Sequence, residues 1–112
     1  MLLTLVTSGH PDRHPDDAST LRRAQQALEL QRWTEARELL LQLATRQPAT
    51  TQYRALLAYA RGQEALSSGN EEAARAEWRR ALTLDPSLKD AQHALAARTR
   101  RRSWVDRLLG RT

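Results

Sequence analysis

The sequence predicts an all-α domain of antiparallel helical hairpins, and three observations point there. Leu and Ala supply most of the apolar side chains, with no Phe, no Ile and two Val. That mixture favours helices over strands. Five stretches carry apolar residues at helical spacing, most of them marked by a capping residue before or a breaker after. The joints between them are short, so consecutive helices must double back on one another. At 112 residues the chain amounts to one ordinary domain.

Residues 1–16 form a leader expected to be poorly ordered. Its run MLLTLV is apolar but short, follows no basic residue and breaks at Thr7-Ser8-Gly9. A secretory signal wants a longer apolar stretch behind a positive start, and a membrane span wants about 20 apolar residues. With no Cys to form disulfides, the expectation is a cytoplasmic chain. The next residues, GHPDRHPDD, hold His-Pro-Asp twice. That tripeptide resembles the core of the J-domain, a module that stimulates a heat-shock chaperone. In that family a basic helix precedes it, whereas here the nine preceding residues are uncharged. We take the segment as a proline-broken polar leader ending in a cap.

Asp16 or Asp17 is expected to cap the first helix, through LRRAQQALELQ, with Leu21, Ala24 and Leu28 on one side. Thr34 is expected to cap a second, EARELLLQLATR, which Pro48 ends. A third spans about 51–67 and stops at Ser67-Ser68-Gly69, where Gly69 is free to adopt the left-handed conformation. Asn70 caps the fourth, Glu71 and Glu72 fill its first turn, and Asp85-Pro86 ends it. Ser87-Leu88-Lys89-Asp90 reads as a near capping box opening a fifth helix, from Leu88 to about Leu109.

The second and fourth helices share a pattern. Ala36, Leu40, Leu43 and Pro48 have the same spacings as Ala74, Trp78, Ala81 and Pro86, 38 residues later. Small residue, large residue four later and terminal proline resemble the signature of the tetratricopeptide repeat. Gly62, twelve residues before Ala74, sits where that family often has Gly. Ala58, Arg61 and Ala65 hold the other first-helix positions, with Thr20, Arg23, Ala24 and Ala27 in the first unit. These are smaller or more charged than the family's usual residues. The offset exceeds the usual 34-residue period by about one helical turn, which places an extra turn around Thr51–Arg54. The expected organisation is a repeat over 17–50, a second over 51–87, and a capping helix over 88–109 laid on it by Leu88, Ala91, Ala94 and Leu95. In this packing Ala74 and Gly62 let two helices approach, and Trp78 fills the space beyond.

The resemblance implies a protein-binding module whose first helices line a groove for an extended peptide or a helix. Carried over by position, that groove includes Leu21, Gln25, Leu28, Leu56, Tyr59, Gln63, Leu66, His93 and Arg100. Tyr59 offers a ring and Gln63 an amide for a peptide backbone. Some family members clamp a chaperone's C-terminal carboxylate with Lys, Asn and Arg. The matching positions here hold Leu21, Gln25, Ala60 and Ala94, so that partner is not expected. Two units also leave an apolar end, which MLLTLV, a second copy or a neighbouring domain would cover; self-association is one expectation.

No catalytic set emerges around His10, His14 and His93, so no enzyme activity, cofactor or small-molecule substrate is expected. His10 and His14 with Asp12 and Asp16 make a poor metal site, because the prolines keep both His off one helical face. The formal charge is +5, almost wholly Arg on the positive side. Arg98, Arg100, Arg101, Arg102 and Arg107 gather near the C-terminus beside Trp104, Val105, Leu108 and Leu109. The simplest function is a capping helix. The alternative is a basic surface for nucleic acid or an anionic membrane, although no nucleic-acid motif accompanies it.

Overall fold

The computed structural model describes residues 16–109, and of residues 99–106 the backbone only. The leader therefore lies outside the described residues, including its paired His-Pro-Asp and any role of MLLTLV. Five helices follow in order: α1 Asp17–Glu29, α2 Trp33–Arg46, α3 Thr51–Ser67, α4 Glu71–Leu84 and α5 Lys89–Leu108. Each packs chiefly on its neighbour in sequence, giving a row of antiparallel hairpins. Joints of three or four residues leave no other route for the chain.

The 38-residue recurrence extends to the backbone. α2 and α4 begin and end in register, at Trp33 and Glu71 and at Arg46 and Leu84. α1 and α3 end in register too, but α1 has 13 residues and α3 has 17, so the surplus turn sits at the start of α3. The turns repeat as well. After α1, the Gln31 amide bonds to the Leu28 carbonyl (3.1 Å) and the Arg32 amide to that of Ala27 (2.8 Å). After α3, Gly69 bonds to Leu66 and Asn70 to Ala65, both at 2.9 Å. This paired closure needs a left-handed residue. Gly69 supplies it at φ 84° without strain, whereas Gln31 supplies it at φ 60°.

Two apolar clusters share α3. The first joins Ala24, Ala27, Ala36, Leu40 and Leu43 to Leu57 and Ala60. The second joins Ala58, Ala74, Trp78 and Ala81 to Ala91 of α5, with Leu88, Ala94 and Leu95 partly buried against it. Equivalent positions are filled differently. Where the first unit sets Ala24 near Leu40, the second sets Gly62 near Trp78. A Cβ on Gly62 would fall 2.6 Å from Trp78 Cδ1 and 3.1 Å from the Ala74 carbonyl oxygen. The indole N–H finds no acceptor among the described residues, so shape alone seats the ring.

Of the two candidates expected to cap α1, Asp16 takes the N-cap position, whereas Asp17, Thr34 and Ser87 serve otherwise. Asp17 lies inside α1 and is 3% exposed. Its carboxylate accepts from Arg46 Nε (2.9 Å) and Gln47 Nε2 (3.3 Å), which ties the start of α1 to the end of α2. Thr34 lies within α2, whose N-cap is Arg32. The Thr34 hydroxyl donates to Glu64 Oε2 on α3 (2.8 Å), and Arg37 pairs with Glu64 Oε1 (2.8 Å). Ser87 turns back, its amide and hydroxyl both donating to Asp85 Oδ1, while Gln92 Nε2 donates to the Pro86 carbonyl. In each case a tertiary or turn partner outcompetes the local helix end. Asn70 does cap α4, accepting from the Ala73 amide at 3.1 Å.

Candidate functional site

α1 and α3 each turn one side toward a groove of about 710 Å³ that ends at the first turn of α5. Helical spacing explains what reaches it. Leu28 and Glu29 of α1 lie about a turn beyond Gln25, and Gln52, Leu56, Tyr59 and Gln63 of α3 follow one another a turn apart. The start of α5 adds Leu88 and Asp90, and Trp33 with Gln31 closes one flank. Apolar floor and amide rim suit a polypeptide, whose backbone needs both donors and acceptors.

Tyr59 is the centre of this surface. Its ring meets Trp33 edge-on, with centroids 6.4 Å apart and planes at 90°. Such an arrangement sets the positive edge of one ring on the negative face of the other. Partial burial, and secondarily the Asp90 carboxylate, push its phenol from 10.0 up to about 12. Gln63 contributes a buried Oε1 with no hydrogen-bond partner among the described residues. Neither Glu29 nor Asp90 has an ion-pair partner among the described residues.

Of the residues expected on this surface, Gln25, Leu28, Leu56, Tyr59 and Gln63 line the groove together. Leu21 and Leu66 pack against the first and second clusters instead. His93 is exposed on α5 and does not line the groove. The Arg100 side chain lies outside the described residues, as do those of Arg101 and Arg102. Arg98 is half-buried, and Arg107 is exposed beside Leu108 and Leu109. Sequence reasoning missed Glu29, Gln31, Trp33, Gln52, Leu88 and, last, Asp90 on this surface. The recurrence held a signal for the last, because Asp90 stands 38 residues after Gln52 just as Gln63 stands after Gln25.

Among the described residues no group of three or more His, Asp or Glu is placed to hold a metal ion. No helix there is long and apolar enough to cross a membrane. No protein-family profile, curated protein or solved structure matches the chain.

Proposed function

We propose that this chain is a protein–protein interaction module of the tetratricopeptide kind, an adaptor with no chemistry of its own that works in the cytoplasm. A peptide or helix of a partner protein occupies the groove across α1, α3 and α5. The observation that carries this reading is the alignment of Gln25, Leu28, Leu56, Tyr59 and Gln63 along one open surface. The 38-residue recurrence of helix ends, turns and buried positions supports the repeat half of it. The test is site-specific photo-crosslinking in the native cell. A benzophenone side chain at exposed Gln25 or Gln52 is expected to capture one identifiable protein, and the same group at exposed Arg79 or Arg80 is not. The reading fails if the groove positions capture nothing while the α4 positions do.

A second reading rests on the end of α5, where Leu108 and Leu109 are 66% and 61% exposed beside Arg107. Such an amphipathic end would suit an anionic surface, whether nucleic acid or lipid. Contact of about four arginines with phosphates gives a log–log salt slope near −3 to −4. A chain truncated after Ala97 would lose this binding and keep groove binding. A shallow slope, or binding that survives the truncation, removes this reading.

A further inference from the structure

The groove carries a chemical preference of its own. Every charged side chain lining it is acidic, Glu29 and Asp90, and no cation lines it among the described residues. That is unexpected in a chain with formal charge +5. Its other polar groups, Gln25, Gln31, Gln52 and Gln63, are amides. Beside them stand two aromatic rings at right angles, whose faces attract cations. The Asp90 charge lies close enough to Tyr59 to disfavour a second negative charge there.

We propose that the groove selects a basic segment of a separate partner protein and seats an arginine against the Tyr59 ring and the Asp90 carboxylate. Arginine fits better than lysine. A planar guanidinium stacks on a ring while its several N–H groups reach a neighbouring carboxylate. Glu29, at the far side, favours a second basic residue on the same segment. This rests on the groove being a peptide site, and it names the kind of peptide.

The test uses the full chain and three capped, fluorescein-labelled heptapeptides, read by anisotropy. One alternates leucine with arginine, one replaces arginine by its neutral isostere citrulline, and one replaces it by glutamate. The arginine peptide is expected to bind about tenfold more tightly than the citrulline peptide, with the glutamate peptide weakest. Asp90→Asn and Glu29→Gln should each remove roughly threefold of that advantage, read as the ratio of arginine-peptide to citrulline-peptide affinity. Both acids are exposed, so the variants are expected to keep the native helical circular dichroism.

Equal affinity for all three peptides, with each competing for benzophenone labelling at Gln25 or Gln52, overturns the arginine preference and leaves the groove reading standing. No binding and no labelling overturns both. Sedimentation of the free chain separates the other occupant. An oligomer that Asp90→Asn dissolves would assign the arginine to a second copy, and the separate partner falls.

Discussion

Gly62 is the sharpest test of the packing. Replacing a helical glycine by alanine ordinarily gains about 1 kcal/mol of helix propensity. Here the new Cβ would stand 2.6 Å from Trp78 Cδ1, whereas carbon atoms in contact prefer about 3.5–4.0 Å. A shift of about an ångström is needed, and neither side yields easily. Trp78 is 1% exposed, and the Ala74 carbonyl, 3.1 Å from the new Cβ, is helix backbone. Overpacking of this kind costs roughly 1–3 kcal/mol, more than the propensity gain over most of that range. We expect Gly62→Ala to lower stability by up to about 2 kcal/mol, or as much as roughly 10 °C in Tm. The first unit supplies the control. Its equivalent pair, Ala24 and Leu40, is fully buried with the methyl in place. In a Trp78→Leu background the same Gly62→Ala change should therefore stabilise by up to about 1 kcal/mol. Urea unfolding followed by helical circular dichroism, with unchanged m-values, closes the double-mutant cycle. The reasoning is refuted if Gly62→Ala stabilises equally in both backgrounds, as it would at an exposed helical site.

The other predictions follow from single contacts. Gln31→Gly should stabilise by about 0.5–1 kcal/mol, since Gln31 holds the left-handed position that Gly69 fills freely; a lower midpoint in urea would refute it. Asp17→Ala should cost about 2–3 kcal/mol, because Arg46 and Gln47 lose a buried acceptor. Glu64→Ala should cost under about 1 kcal/mol, since water reaches both Glu64 and Arg37. Equal losses in thermal melts would show that burial does not set the difference. Tyr59 should titrate near pH 12 by phenolate absorbance, and Asp90→Asn should bring it down. Because the folded state holds that proton more tightly than the unfolded chain, stability is complete below pH 10 and declines as pH rises toward about 12. A stability that rises across that window would contradict the assigned environment.

What could be read directly were the features that depend on near neighbours in sequence. The extent of α3, the Asn70 cap, the Gly69 stop and the arrests near Pro48 and Pro86 follow from backbone chemistry within a few residues. Likewise, the alternation of Ala36, Leu40 and Leu43 marked a buried face, because helical periodicity translates spacing into geometry. Half of the groove was legible for the same reason: Gln25 and Gln63 occupy one position of one recurrence.

By itself, then, the sequence determined five helices, their order and which side of each is apolar. Tertiary structure decided what short polar side chains do once those helices meet. Asp17 and Thr34 have the chemistry of caps, but both find partners on a neighbouring helix. A short polar group takes whichever donor or acceptor is closest in space, and that distance exists only after folding. Trp33 meeting Tyr59, and Asp90 arriving beside it, belong to the same class, since each joins residues more than 25 positions apart.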